Sequence, residues 1–143
     1  MEILSNQVFL VSAVAWAVAQ TLKVVFFLFQ ERRLDLWRMV SAGGMPSSHS
    51  ALVSALATGV GITDGVRSTT FAISVVFAAV VMYDAAGIRQ AVSIQARLLN
   101  KMLDEYFKHQ KWSEERLREL LGHTRVEVFA GAALGVTMAL LWV

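Results

Sequence analysis

The stretch QVFLVSAVAWAVAQTLKVVFFLF, residues 7–29, decides the class of this fold. It is interrupted only by Gln20 and Lys23. It also exceeds the roughly 20 residues that an α-helix needs to cross the hydrocarbon core of a bilayer. No basic segment precedes it and no small-residue cleavage site follows it, so it reads as a retained membrane helix and not as a secretory signal. Working outward, three more apolar segments appear, at about 47–62 just after Pro46, about 68–86 and about 126–143. The first, third and fourth segments are long enough to span. The second is short and rich in Ala, Gly and Ser, which fits a thinned region of the membrane or a partly re-entrant helix. Soluble core helices are the plain alternative, but three such segments in 143 residues argue against it. The expectation is an all-α, polytopic membrane bundle of about four transmembrane helices, a single domain over residues 1–143.

The composition agrees. Hydrophobic residues make up 56% and charged residues 17%, and the mean hydropathy is +0.54, well away from a soluble globule. With no cysteine, disulfides, thiolate metal sites and cysteine nucleophiles are excluded. A net charge of +2 without a basic run among aromatics argues against a nucleic-acid partner.

The connections are unequal. Residues 30–45 hold Arg32, Arg33 and Arg38, and residues 87–125 hold Arg89, Arg97, Lys101, Lys108, Lys111, Arg116, Arg118 and Arg125. The short turn 63–67 between them holds only Arg67. With four spans, the two basic connections share one side, which the positive-inside rule makes the cytoplasm. In the long connection Leu98, Leu99, Met102, Leu103, Tyr106 and Phe107 recur at helical spacing among charges. A second helix restarts at Ser113, a plausible N-cap, and stops at Gly122. This amphipathic insertion, about 90–121, suits the membrane interface or the underside of the bundle.

Three clusters could carry chemistry. In Gly43-Gly44-Met45-Pro46-Ser47-Ser48-His49-Ser50 the glycines let the backbone approach a ligand, Ser47 and Ser48 bring hydroxyls to a helix start, and His49 can pass a proton. The bland alternative is an ordinary loop and cap, against which the histidine at the mouth of a membrane helix weighs. In Gly122-His123-Thr124-Arg125-Val126-Glu127, His123 and Glu127 share a helix face, so the carboxylate can fix the tautomer and leave the other ring nitrogen nucleophilic. Thr124 and Glu127 also make a capping-box pattern, which would give Glu127 a purely structural task; the two readings weigh about evenly. Gly131 and Gly135 read as a packing motif. Asp84 and Arg89 in Tyr83-Asp84-Ala85-Ala86-Gly87-Ile88-Arg89 stand at the end of the third span, either facing a site or pairing structurally. Lys23, three residues after Gln20, is either part of the same site or a snorkelling cation. His109, between Lys108 and Gln110, reads as solvated surface.

Taken together these strings resemble a known group. Pro46-Ser47-Ser48-His49 is similar to the Pro-Ser-Gly-His signature of the type 2 phosphatidic acid phosphatase superfamily, which includes the vanadium haloperoxidases. His123, Glu127 and Gly131 are similar to its last motif, His-x-x-x-Asp with a glycine four residues on. The whole set, over roughly Gln20 to Gly135, resembles the small divergent bacterial and plastid branch of that superfamily. The resemblance implies a metal-independent phosphohistidine phosphatase with no cofactor. His123 would be the nucleophile, Glu127 its orienting carboxylate and His49 the proton donor. Ser47, Ser48, Gly44, Lys23, Arg89 and Asp84 would line the phosphate site. The implied substrate is a phosphorylated lipid, a lipid phosphate or prenyl (di)phosphate, handled in the membrane. The topology reading, and not the resemblance, puts the active site on the cytoplasmic face of a bacterial inner membrane, unlike the outward-facing site typical of bacterial lipid phosphatases in the superfamily. The departures are that Ser48 replaces the motif glycine, Glu127 replaces aspartate, and Gln30 and Leu117 stand where arginines are expected. They leave a second reading, a non-catalytic relative that binds anionic headgroups or a membrane partner. A transporter ranks last because the polar groups gather at one end. Small-residue faces on the second and fourth segments offer a surface for a homodimer.

Overall fold

The computed structural model describes residues 5–31, 44–106 and 123–143. These form five helices, α1 (Gln7–Glu31), α2 (Ser48–Thr63), α3 (Thr69–Ala86), α4 (Ile88–Tyr106) and α5 (Arg125–Trp142). Among the described residues there is no strand. The helix starts follow from capping chemistry. Ser47, Ser68 and Thr124 each hold an extended backbone and accept a bond from an amide three residues on, satisfying a donor that the first turn leaves free. The turn between α2 and α3 closes at Gly65, whose φ of 83° suits glycine. The second helix of the expected insertion, with Ser113 and Gly122, lies outside the described residues, as do Arg32, Arg33, Arg38, His109 and Leu117.

Three helices, α1, α3 and α5, are long and apolar enough to cross a membrane. The second apolar segment is a continuous helix of 16 residues. At 1.5 Å per residue it is about 24 Å long, short of the roughly 30 Å hydrocarbon core. It holds the middle of the bundle, with α1, α3 and α5 all packed on it. Among the described residues the count is therefore three spans by length and composition around a shorter inner helix.

Contacts fix the directions. Lys23 meets Ser48 and Val8 meets Gly59, so α1 and α2 are antiparallel. Ser54 meets Met82 and Gly61 meets Phe71, so α2 and α3 are antiparallel as well. Gly131 lies on Ser47 and Gly135 on Ala51, so α2 and α5 run parallel, with both N-termini at one end. This α2–α5 seam is backbone against backbone. A Cβ on Gly131 would fall 2.1 Å from the Ser47 carbonyl oxygen, and one on Gly135 would fall 2.2 Å from that of Ala51. Val11, Ala15 and Ala19 of α1, Ala51 and Ala55 of α2 and Ala139 of α5 complete a core of small side chains, the packing expected where close approach replaces the hydrophobic effect. The glycines that read as a packing motif are occupied within the chain, so a homodimer would need a different surface.

Large apolar side chains point outward instead. Ile73, Val76, Phe77 and Val80 of α3 are exposed, as suits a surface that meets lipid tails. On α4 the exposed residues Ile94, Leu98, Met102 and Tyr106 make one apolar stripe, while Ala96 and Asn100 are buried.

Candidate active site

The site is built at the end where α2 and α5 both begin. His123 precedes the cap of α5, and its amide donates to the Ala85 carbonyl in the last turn of α3 at 3.3 Å, which ties it to the bundle. Its ring is 1% exposed. Nδ1 stands 3.0 Å from Glu127 Oε2. An ionised carboxylate can only accept, so in the neutral ring this contact places the proton on Nδ1 and the lone pair on Nε2. Nε2 is buried and has no hydrogen-bond partner among the described residues.

Glu127 has two tasks at once. The same Oε2 that meets His123 accepts from the Thr124 amide at 3.0 Å, while the Glu127 amide donates to Thr124 Oγ1 at 3.3 Å. The capping box and the histidine contact coexist because the cap's amide and the ring of the preceding residue lie on the same side of the first turn.

His49, in the first turn of α2, is exposed. Its ring centroid is 6.3 Å from that of His123, with the planes at 61°. The two histidines are 74 positions apart in sequence, yet they form a pair, one ring enclosed and one at the rim. The join between their helices is short, since the Ser47 amide donates to the Glu127 carbonyl at 3.0 Å.

Lys23 closes the cluster from α1. It is 5% exposed, and Nζ donates to Ser48 Oγ at 3.2 Å. Snorkelling would leave its head in the interface. Here α1 continues two turns beyond it, to Glu31, and the ammonium is enclosed. Gly44 stands over the Lys23 stem with φ of 91°, a conformation that favours glycine.

The other expected residues divide. Ser47 is fully buried in the seam, and its Oγ accepts from the Ser50 amide at 3.4 Å and from Ser50 Oγ at 3.1 Å. Its geometry is that of a cap, and Ser48 is the serine set beside the lysine. Asp84 is half-buried in the last turn of α3, next to Ala85, which receives the His123 amide. Arg89 belongs to the first turn of α4, but its side chain lies outside the described residues. Sequence reasoning missed Ser50, whose hydroxyl completes the cap, and the Ala85 carbonyl. Neither has a signal beyond small size. Among the described residues no group of three or more His, Cys, Asp or Glu could hold a metal ion.

Two helix N-termini, a buried lysine and two imidazoles gather at one end, a set of groups suited to an oxyanion. Residues 4–138 match the model of a family described as the divergent PAP2 family. A curated relative, the uncharacterized membrane protein YuiD of Bacillus subtilis (strain 168), is 39% identical over 151 aligned positions, covering 98% of this chain and 96% of its own length. No solved structure matches significantly.

Proposed function

The chain belongs to the divergent PAP2 family, and from that premise we propose that this integral membrane protein is a phosphatase that cleaves a lipid phosphate or prenyl (di)phosphate through a phosphohistidine. One observation carries the reading: His123 presents a lone-pair nitrogen, fixed by Glu127, beside the exposed ring of His49. In the proposed first step Nε2 of His123 attacks phosphorus and the bond from phosphorus to the lipid oxygen breaks. The leaving oxygen takes a proton from His49. In the second step a water gives a proton to His49 and attacks phosphorus. The phosphorus–nitrogen bond breaks, its electron pair returns to Nε2, and inorganic phosphate departs. Lys23, with Ser48, and the N-terminal ends of α2 and α5 hold the non-bridging oxygens, where donors matched to developing charge contribute most. Arg89, in the first turn of α4, adds a second cation in this reading.

The basic connections leave the bundle at the same end as the site, which supports a cytoplasmic orientation, in a bacterial inner membrane. The test is phosphate release from a lipid phosphate by purified protein, with vanadate as inhibitor. His123→Ala is expected to reduce release to background, and a variant as active as the parent would remove the mechanism.

A second reading has its own support. Gln30 and Leu117 occupy the positions where the resembling motifs carry arginines, which thins the phosphate cradle. A non-catalytic relative would bind vesicles containing phosphatidic acid, release no phosphate, and keep that binding in His123→Ala.

A further inference from the structure

The packing around α2 leaves one side open. α1, α3 and α5 all lie on α2, and α5 meets both α1 and α3, yet among the described residues α1 and α3 do not come together. On the side of α1 away from α5 runs a groove of about 510 Å³. Its walls are Phe9 and Ala13 from α1 and Leu52, Leu56 and Val60 from α2. Its far end is polar, at Asn6 and Asp64.

The register links this groove to the histidine pair. Leu52, Leu56 and Val60 follow His49 by three, seven and eleven residues, which puts all four on one stripe of α2. Ser48 and Gly59 mark the edge of α2 turned to α1, and Ala51 and Ala55 the edge turned to α5. The stripe is thus the face of α2 that none of the described helices covers, with an exposed imidazole at one end. From His49 to Val60 the stripe rises about 16 Å at 1.5 Å per residue. One leaflet of hydrocarbon is about 15 Å deep, half of a roughly 30 Å core.

We propose that this groove is the acyl-chain subsite, holding one hydrocarbon chain of a lipid whose phosphate rests at His49, Ser48 and Lys23. The inference rests on the phosphate site proposed above and narrows its substrate to lipids with a chain long enough to run the stripe. Phe9, Ala13, Leu52, Leu56 and Val60 give the groove its apolar wall, with Ser12 among them and Asn6, Thr63 and Asp64 at the end away from His49. Its cationic and imidazole end matches a phosphate and not a neutral headgroup.

The experiment uses the full chain in phosphatidylcholine nanodiscs with a hexadecyl phosphate carrying a mid-chain diazirine. After irradiation, adducts are mapped by mass spectrometry. They are expected on Leu52, Leu56 and Ala13. Unlabelled hexadecyl phosphate should compete, while hexadecanol and octyl phosphate should compete at least about tenfold less well. Leu56→Trp or, should that variant fail to fold, Ala13→Phe should lower groove labelling at least about tenfold. Val76→Trp on α3 should leave it as it is. Adducts spread evenly over the lipid face of α3, equal competition by hexadecanol, or cross-links between two copies at Leu56 would each overturn the subsite. Phosphate-dependent labelling of the groove without any phosphate release would instead sustain the subsite and reject the phosphatase.

Discussion

α3 and α5 have the same length and a similar apolar character, and both can cross a membrane. They differ in how near they come to α2. α5 brings Gly131 and Gly135 to the contact and lies backbone to backbone on Ser47 and Ala51. α3 brings Ser74, Ala78 and Ala85 to its buried side and carries a broad exposed face. Hydropathy alone does not separate the two. Close approach does: it sets the first turn of α5 against the first turn of α2, and so brings His123 to His49. A residue without a side chain, two turns from the chemistry, governs where the chemistry is placed.

The largest effect is expected from closing that gap. Gly131→Ala sets a methyl 2.1 Å from a carbonyl oxygen, which no side-chain rotation relieves. The helices must part, at a cost of about 1–3 kcal/mol. A displacement near 1 Å at the paired rings costs about 10²-fold in turnover. Val76→Ala, on the exposed face of α3, should change stability by less than about 0.5 kcal/mol. Thermal unfolding in detergent and phosphate release measure both. If the two variants behave alike, the contrast between the helices is broken.

The next effect separates the two tasks of Glu127. Glutamine serves in a capping box as glutamate does, so Glu127→Gln should keep the helix start and change unfolding little. It removes the negative charge that fixes the His123 tautomer and steadies the imidazolium, and turnover should fall by about 10²-fold or more. Thr124→Ala does the reverse. It should cost about 1 kcal/mol of stability through the lost cap and reduce turnover less. A Gln variant with parental turnover would show that Glu127 only caps.

Much of the fold was legible because each helix start carries its own chemistry. Ser47, Ser68 and Thr124 stand within one or two residues of where the apolar runs begin, so the expected and observed helices agree closely. The common end of His49 and His123 followed from alternating spans and from the crowding of Arg and Lys in two connections. Other features depend on contacts between helices and left no local trace. Lys23 reads as a cation near a helix end, yet α1 continues past it and encloses the ammonium. Ser47 reads as a phosphate ligand, yet its hydroxyl faces Ser50 and its carbonyl faces Gly131. For Glu127, cap and orienting group read as competitors, and one oxygen atom contacts both the Thr124 amide and His123 Nδ1.

The smallest effect belongs to the start of α3, where a carboxylate has no chemistry to serve. Asp64 Oδ2 accepts from Thr70 Oγ1 at 2.6 Å and Oδ1 from Thr63 Oγ1 at 3.1 Å. The Thr70 hydroxyl foremost, with Thr63, holds the Asp64 carboxyl below its ordinary value. The folded state thus prefers the ionised form more strongly than the unfolded chain does, whose value lies near 4. That contribution is present in full above about pH 4 and is lost as pH falls through the lower folded value. Asp64 is fully exposed, so water screens most of it. Unfolding midpoints measured from pH 6 to pH 3 should show a small acid-side decline that Asp64→Asn and Thr70→Val both flatten. Glu127→Gln should leave this decline in place. The same loss in all three variants would mean that the two helix starts are coupled through α2, and the contrast between α3 and α5 would then have to be drawn elsewhere.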